Sequence, residues 1–398
     1  MIRREIITQI EDYLYDPEVI ILYWARQVWK TSIMKYLQEK ETRETLFLDL
    51  EDKDNFAVVN TTAEKFVEYL EAQRWWTGET PLVVFIDEFQ YMDNPTSFLK
   101  YAHDHYPNLK LIVSWSSTLE IRKKLKDSMV WRYVKFNIYP LNFSEFLTFK
   151  WKENLSKILR KPVSLDIINE ELLDFYNEYI IYWGYPRIVL ESNYEKKKQL
   201  LNSIVETYLM KDVSDIWKIL DIDKFNKLLV VLASQSWNLL NMTELSNDWV
   251  GIAWQTLSEW LLLLKDTFVV SEIRPFSWNI RSELVKMPKI FFEDTWIRNC
   301  ILNSFEIDGA WLENAIYNDL YHSETFKKIN FYRTKDKKEI DFILDWNPYE
   351  VKVAFNWKRL TALEYFKNKY NQEGKVITLK KPDSKKYQLY YPWEVWKE

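Results

Sequence analysis

Glycine is scarce in this chain, which holds 5 glycines against 20 tryptophans among its 398 residues. Average usage of glycine is near 7%, so about 28 glycines would be expected. Glycine adopts left-handed backbone conformations at no steric cost, and tight turns and phosphate-binding loops depend on it. The two counts together give 25, close to an ordinary glycine content. The tryptophans therefore need an explanation beyond an aromatic-rich composition.

The remaining composition is that of a globular protein able to bury a large core. Charged residues make up 28% and hydrophobic residues 47% of the chain, and the length suggests two or three domains. No apolar stretch approaches the roughly 20 residues that cross a bilayer. The first residues contain no signal-peptide apolar segment. We therefore expect a cytoplasmic protein without membrane contact.

The cysteine count, the histidine count and the net charge exclude further classes of protein. Cys300 is the single cysteine, which excludes an internal disulfide framework and a thiolate zinc cluster. Three histidines (His103, His105 and His322) are too few for a histidine-rich metal site. The net charge of -5 argues against a generic nucleic-acid coat but is compatible with a local basic patch.

Apolar runs alternate with helical segments over the first 145 residues. The predicted strands are Val19–Tyr23, Thr45–Leu50, Leu82–Ile86, Leu109–Val113 and Tyr133–Tyr139, and the predicted helices include Thr31–Glu39 and Thr61–Ala72. This alternation predicts a doubly wound α/β domain with a parallel sheet over residues 1–145.

Three further regions follow. Residues 146–215 are predicted to be a helical lid or linker. Residues 216–290 resemble a winged helix, with helices at Met242–Asn247 and Ile252–Leu264 and a hairpin at Thr267–Ile273. Residues 291–398 are predicted to form an α+β domain, with a helix at Trp311–Leu320 and strands at Glu339–Leu344 and Tyr349–Val353.

Residues 24–31 read Trp-Ala-Arg-Gln-Val-Trp-Lys-Thr, directly after a strand and before a helix. The phosphate-binding loop is Gly-x-x-x-x-Gly-Lys-[Ser/Thr] in that context. Lys30 and Thr31 fit this pattern, whereas Trp24 and Trp29 occupy the glycine positions. An indole at position 29 would occupy the space of a nucleotide. Taken by itself, the segment is better explained as a chance sequence after a core strand.

A second motif favours nucleotide binding. Leu82–Ile86 leads into Asp87 and Glu88, and an apolar strand that ends in Asp-Glu is the Walker B pattern. In that pattern Asp87 would hold Mg²⁺ directly or through water, and Glu88 would polarise the attacking water. The alternative is a solvated strand end or a helix cap. Both motifs, in this order and at this spacing, point to an ATP and Mg²⁺ site.

The tryptophans supply a separate argument, because six of them follow a turn-type residue: Trp115, Trp237, Trp249, Trp278, Trp346 and Trp357. Ser-Gly, Asp-Gly and Asn-Gly are turn dipeptides, whereas Ser-Trp, Asp-Trp and Asn-Trp are not. Asp345-Trp346 stands between two predicted strands, where Asp-Gly would be the hairpin signal. Other tryptophans, such as Trp260 among leucines, are core aromatics.

We hypothesise that many printed tryptophans are glycine in the native protein. The codon UGA means tryptophan in some genetic codes and glycine in some bacterial lineages. TGG at codons 24, 29, 115 and 346 would contradict the hypothesis, whereas TGA at those codons, with TGG at some other tryptophan codons, would support it.

Together these residues resemble a prokaryotic family of AAA-superfamily ATPases with a C-terminal restriction-endonuclease-like domain of unknown function. With glycine for tryptophan, residues 21–35 become ILYGARQVGKTSIMK, similar to the family's phosphate loop. FIDEFQYM (85–92) looks like its Walker B segment. Further similar segments bring the resemblance to most of residues 15–355; they are 112–147, 182–190, 274–299 and 331–344. Family members carry glycine at the positions of Trp24, Trp29, Trp115, Trp131, Trp183 and Trp296.

The resemblance implies roles for matching positions. The backbone amides of residues 25–30 would cradle the phosphates, Lys30 would contact the β- and γ-phosphates, and Thr31 would ligate Mg²⁺. Ser114 or Ser116 would act as a polar sensor near the γ-phosphate. Arg132 is either an arginine finger or sensor, or one half of a surface ion pair. The predicted nucleotide-binding set is Trp24, Ala25, Arg26, Gln27, Val28, Trp29, Lys30, Thr31, Ser32, Ser114 and Ser116.

A second candidate site lies near the C-terminus. Glu313 falls on a predicted helix, Asp341 in one strand, and Glu350 and Lys352 on one face of the next. This constellation is typical of restriction-type nucleases, in which two carboxylates hold Mg²⁺ and a lysine assists the attacking water. The alternatives are a solvated strand face or a nuclease-like fold kept as a binding module.

The predicted recognition helix Ile252–Leu264 contains Glu259 but no lysine or arginine, so protein docking is favoured over DNA reading. The leading hypothesis is therefore a Mg²⁺-ATP-dependent ATPase whose cycle drives a conformational change. The alternatives are an ATP-regulated metal-dependent DNA nuclease or DNA-binding protein, and a non-catalytic interaction protein with a decayed nucleotide site. The biological target and the oligomeric state stay open.

Overall fold

A computed structural model describes residues 2–23, 29–73, 76–115, 129, 131–159, 165–206, 219, 221–277, 286–323, 326, 328–355, 360–382 and 387–397. The chain divides into two compact units, Met1–Pro140 and Leu141–Glu398. Each unit is described by itself below.

The first unit alternates strands and helices. Its strands are β1 (Val19–Tyr23), β2 (Glu44–Asp49), β3 (Leu82–Asp87), β4 (Leu109–Trp115) and β5 (Tyr133–Asn137). Its helices are α1 (Glu5–Glu11), α2 (Lys30–Lys40), α3 (Lys53–Val59), α4 (Ala63–Ala72) and α5 (Pro95–His105). A short 3₁₀ turn, Phe89–Tyr91, follows β3.

The five strands form one parallel sheet in the order β2-β3-β4-β1-β5. Every residue of β1, β3 and β4 is buried, as expected for central strands covered on both faces. This sheet confirms the predicted α/β fold of a P-loop NTPase. Because β4 lies between β1 and β3, the carboxyl ends of these three strands are neighbours, and ligands of open α/β sheets bind at such ends.

The second unit combines helices with a mixed sheet. Its helices are α6 (Phe143–Phe149), α7 (Glu153–Ile158), α8 (Asp166–Tyr182), α9 (Pro186–Leu190), α10 (Tyr194–Val205), α11 (Ile222–Ser234), α12 (Met242–Glu244), α13 (Trp254–Asp266), α14 (Thr295–Leu302), α15 (Gly309–His322) and α16 (Thr361–Tyr370). Its strands are β6 (Val270–Pro275), β7 (Lys289–Phe292), β8 (Ile329–Arg333), β9 (Glu339–Leu344), β10 (Asn347–Lys352), β11 (Lys375–Thr378) and β12 (Gln388–Tyr390). A π-helix (Leu245–Val250) follows α12, and a 3₁₀ helix (Pro392–Lys397) follows β12.

The seven strands are ordered β12-β11-β10-β9-β8-β6-β7. The predicted hairpin at Thr267–Ile273 is wrong, because its residues contribute one strand, β6, which pairs with β7 and, in parallel, with β8. The winged helix stays a prediction. On the predicted recognition helix, Leu261, Leu263 and Leu264 of α13 are buried and Leu262 is exposed. Protein docking through this helix stays a prediction.

No helix among the described residues is both long and apolar enough to cross a membrane.

Tryptophan is over-represented where the backbone is left-handed. Twelve non-glycine residues of the described chain have a positive φ, and six of them are tryptophans: Trp29, Trp131, Trp151, Trp183, Trp237 and Trp346. Bulky residues rarely adopt this conformation, whereas glycine adopts it freely. Tryptophan makes up only 20 of the 398 residues, so this share reflects position rather than abundance.

The tryptophans that follow a turn-type residue differ in backbone conformation, and only some of them have a positive φ. Asp345 and Trp346 have φ values of 43° and 81° between β9 and β10, and a type I′ turn requires two such values. Trp237 also has a positive φ, of 70°. Trp115 is the last residue of β4 and Trp249 lies in the π-helix. Trp278 and Trp357 lie outside the described residues.

Trp151 occupies a position in which glycine is the usual residue. The amide of Lys152 donates to the carbonyl of Leu147 at 2.8 Å, and the amide of Trp151 donates to that of Thr148 at 3.0 Å. These two bonds form a Schellman motif that ends α6, and its left-handed position is commonly glycine. The side chain of Trp151 is 76% exposed, so little packing compensates for its φ of 61°.

Replacing Trp151 by glycine is expected to stabilise the second unit by about 1 kcal/mol, because a left-handed residue with a Cβ is strained by roughly that amount. Urea unfolding of the full chain, followed by amide exchange in α6, would measure the change. Trp151→Ala is the matched control, since it removes the indole but keeps the Cβ. An equal gain from alanine would show that the indole, not the backbone, causes the strain.

Several buried tryptophans leave their indole N–H groups without a partner among the described residues. They are Trp115, Trp183, Trp296, Trp311 and Trp393. Buried indole N–H groups ordinarily find an acceptor, and an unsatisfied one costs about 1–3 kcal/mol. Trp115, Trp183 and Trp296 are also positions where the similar family carries glycine. Backbone strain and unsatisfied indoles thus affect each of that family's glycine positions except Trp24, which lies outside the described residues.

Candidate functional site

The predicted phosphate loop is described only from Trp29 onward, and residues 24–28 lie outside the described residues. Trp29 precedes α2 with φ 67° and ψ 35°. Lys30 begins the helix and is buried, and its Nζ donates to the carbonyl of Trp115 at 3.2 Å. Thr31 and Ser32 follow in the first turn of α2. The loop therefore enters its helix through a left-handed residue, as a glycine would allow.

Thr31 and Asp87 meet at the carboxyl edge of the sheet. The Thr31 hydroxyl donates to Oδ2 of Asp87 at 2.5 Å. Asp87 is buried at the end of β3. A hydroxyl and a carboxylate in contact are the hard oxygen donors that Mg²⁺ prefers. This donor set fits a Mg²⁺-nucleotide, whereas the tryptophan at position 29 does not.

Ser114, one of the two predicted γ-phosphate sensors, contacts the end of β3, and its sensor role stays a prediction. Its buried hydroxyl donates to Oδ1 of Asp87 and accepts the amide of Glu88 at 2.9 Å. Ser114 lies on β4, between β1, which precedes the helix that begins at Lys30, and β3, which ends in Asp87, so it positions the carboxylate from the side. Ser116, the other predicted sensor, lies outside the described residues.

Glu88 follows Asp87 with a left-handed backbone, φ 54°. Gln90 donates a hydrogen bond from Nε2 to Oε2 of Glu88. This contact orients the predicted water-polarising carboxylate. Gln90 was not among the residues predicted from the sequence. Its position, two residues after Glu88 and between Phe89 and Tyr91, could have indicated a contact with that carboxylate.

Arg132 is not beside the other candidate residues. It precedes β5, and its carbonyl accepts the amide of Val19, the first residue of β1. It therefore lies at the amino edge of the parallel sheet, opposite the edge that holds Lys30. Its Nε and a terminal nitrogen bind Asp104 at 2.8 and 3.0 Å, which holds the pKa of Asp104 well below its usual range. The placement favours the ion pair, and the finger or sensor role stays a prediction.

The structure brings the four residues of the second candidate site together. Lys352 Nζ lies 3.2 Å from Glu350 and 3.7 Å from Asp341, and the Asp341 carboxylate accepts the amide of Val351 at 2.8 Å. Glu313 lies beside Lys289, a residue not predicted from the sequence, and the charge of Asp341 acts on both. Lys289 Nζ lies 3.0 Å from Glu313 and 2.7 Å from Glu339.

Two carboxyl groups of this cluster, those of Glu313 and Glu350, have a raised pKa, whereas hydrogen bonds and the charges of Lys352 and Lys289 lower the pKa of Asp341 despite its burial. Burial, followed by the charge of Asp341, raises the pKa of Glu313 to about 8. Burial and Asp341 also raise the pKa of Glu350. Lys289 remains charged, because the surrounding carboxylates outweigh its burial and raise its pKa.

Within the part of the chain that the structure describes, no group of three or more acidic, histidine or cysteine side chains is arranged to hold a metal. Lys352, the lysine of the nuclease-like pattern, contacts both Asp341 and Glu350, as that pattern leads one to expect. Metal binding by this cluster stays a prediction.

Comparisons with known proteins agree with the fold. Residues 16–147 match a family described as an AAA domain, residues 173–308 a domain of unknown function (DUF8612) and residues 308–395 another (DUF4143). The first unit, with its parallel sheet and Lys30-Thr31-Asp87 contact, therefore has the fold of a P-loop NTPase and is similar to an AAA domain. The C-terminal region is similar to the DUF4143 domain.

Relatives and a solved structure share most of the chain. An uncharacterized protein of Methanocaldococcus jannaschii is 25% identical over 84% of this chain and 74% of its own length. An uncharacterized protein of Haemophilus influenzae is 23% identical over 77% and 74%. The structure of a Walker-type ATPase of Pyrococcus abyssi matches with a TM-score of 0.50 at 15% identity, over 76% of this chain and 96% of that one. That similarity supports the fold alone.

Proposed function

We propose that the native chain is a Mg²⁺-dependent ATPase with glycine at positions 24 and 29. The observation that carries the proposal is the meeting of Lys30, Thr31, Asp87 and Glu88 at the carboxyl edge of the sheet. Residues after β1 and at the end of β3, the two strands on either side of β4, supply a buried lysine, two oxygen ligands and a second carboxylate.

Each residue has one role in this proposal. Lys30 contacts the β- and γ-phosphates, and Thr31 and Asp87 hold Mg²⁺, which supplies charge neutralisation. Ser114 keeps Asp87 in place. Glu88, oriented by Gln90, accepts a proton from the attacking water. The backbone amides of residues 25–30 cradle the phosphates once glycine replaces Trp24 and Trp29.

The decoding hypothesis belongs to the same proposal. Its support is the left-handed backbone at six tryptophans and the unsatisfied indoles at Trp115 and Trp296. The coding DNA tests it directly. TGG at codons 24 and 29 would overturn it, and the printed chain would then be an interaction protein with a decayed nucleotide site.

The hydrolysis test uses the full chain with glycine at 24 and 29. We expect Mg²⁺-dependent release of phosphate from ATP, and a loss of about 100-fold or more in Lys30→Ala, since transition-state charge stabilisation is of that size. Glu88→Gln is expected to keep nucleotide binding but lose turnover. Lys40→Ala, at the exposed opposite end of α2, is the matched control. Full activity in Lys30→Ala would refute the ATPase assignment.

The nuclease alternative stays a prediction. Its residues Asp341, Glu350 and Lys352 lie within contact of one another, and Glu313 pairs with Lys289.

A further inference from the structure

The charge of the chain is unevenly distributed. Residues 326–398 hold 17 lysines and arginines against 10 acidic residues, a net charge of +7, whereas the whole chain carries -5. The remaining residues therefore carry -12. A polyanion would be repelled by most of this protein and attracted by its C-terminal region.

Within that region, one surface gathers ordered lysines. The β8–β9 turn, residues 334–338, presents Lys335 and Lys337 to solvent. The turn is tightly held, because the amide of Thr334 donates to the carbonyl of Lys338 at 2.9 Å, and the amide of Lys338 donates to the Thr334 hydroxyl at 3.1 Å. These bonds hold the backbone of the turn that carries the lysines.

Helix α16 extends the same surface. Lys338 Nζ lies 4.6 Å and Lys369 Nζ 5.9 Å from the centre of the Tyr365 ring, so both ammonium groups stand over one aromatic side chain. Lys369 also lies 5.1 Å from the Tyr370 ring. Both tyrosines pack against a buried cluster that includes Tyr332 and Phe366, which keeps their rings in place.

We propose that this basic surface, defined by Lys335, Lys337, Lys338 and Lys369, binds the phosphate backbone of a nucleic-acid strand. Lysines interleaved with fixed aromatic rings are the combination that single-stranded nucleic acids meet in their binding grooves. An acidic protein segment would bind through the positive charge alone and would make no use of the tyrosine rings.

The basic surface shares no residue with the nucleotide site or with the carboxylate cluster. The turn does adjoin that cluster, because Glu339, directly after Lys338, binds Arg333 at 2.6 Å and Lys289 at 2.7 Å. The proposal needs no cleavage and no ATP, so its failure and that of the ATPase proposal are separable.

The test measures binding of a short labelled single-stranded DNA and its RNA counterpart to the full chain across a series of salt concentrations. Each lysine that contacts a phosphate contributes about 0.7 to the log–log salt slope for single strands. Lys335→Gln/Lys337→Gln/Lys369→Gln is expected to weaken binding and to flatten the slope by about 2. A thermal melt checks that this variant folds.

The matched control is Lys53→Gln/Lys65→Gln/Lys100→Gln, which removes three exposed lysines from helices α3, α4 and α5. It changes the net charge equally but should leave the affinity and slope unchanged. Absence of binding by the unaltered chain would overturn the proposal. So would an equal loss in both triple variants, or competition by polyglutamate as strong as that by unlabelled DNA.

Discussion

Replacing both Trp24 and Trp29 by glycine is expected to raise the affinity of the full chain for Mg²⁺-ATP by at least about 100-fold. Position 29 has a left-handed backbone at the start of α2, where the loop amides should face phosphate. Two recovered hydrogen bonds to a charged group are worth about 3 kcal/mol, which corresponds to that ratio. Calorimetric titration or a fluorescent ATP analogue would measure it.

The chain itself offers the matched control. Trp131 and Trp151 also have positive φ values, and Trp131 is at the amino edge of the sheet next to Arg132. Trp131→Gly/Trp151→Gly relieves similar strain without touching the loop, and should leave nucleotide affinity unchanged. If this control pair gained as much as the loop pair, general stabilisation rather than phosphate access would explain the effect.

Removal of the Lys289 charge should destabilise the second unit by about 3–5 kcal/mol, the usual cost of breaking a buried ion pair on one side. Lys289 is 1% exposed and lies within 3.0 Å of both Glu313 and Glu339. Lys289→Met keeps the apolar stem and leaves the carboxylates facing each other. Amide exchange in β7 and α15 of the full chain would report the loss locally.

The partner variant makes this prediction specific. Adding Glu313→Gln to Lys289→Met should recover part of the lost stability, because it removes one of the unpaired carboxylates. Lys380→Met, an exposed lysine beyond β11, should change stability little. If Lys380→Met lowered the stability as much as Lys289→Met does, the ion pairs of Lys289 would not account for the loss.

Much of the first unit was predictable because its signals are local. The run Leu82–Ile86 is continuous and apolar, as expected for a strand covered on both faces, and β3 spans Leu82–Asp87. The contact of Thr31 with Asp87 could be anticipated from motif order, because consecutive parallel strands end at one edge. Arg132 precedes a parallel strand, so its place at the opposite edge was available from the same rule and was overlooked.

The second unit was less predictable because its key contacts join distant segments. Nothing near residue 273 indicates that β6 pairs with β8, which begins more than fifty residues later. Lys289 pairs with Glu313 and Glu339 from two other elements, and only its position within the apolar Pro-Lys-Ile-Phe segment suggested burial. The hydrogen bond between the Ser114 hydroxyl and Asp87 likewise joins residues that are distant in sequence, so it depends on three-dimensional packing.

The left-handed backbone of Trp29, just before α2, supports glycine at that position. That decoding also determines which hosts can express the gene. If codons 24 and 29 are UGA, a ribosome that treats UGA as a stop releases a peptide of 23 residues, which contains β1 but none of its partners. So short a peptide cannot bury a core. A host with the standard code would therefore make no folded protein from this gene. The protein would be confined to lineages that share its decoding.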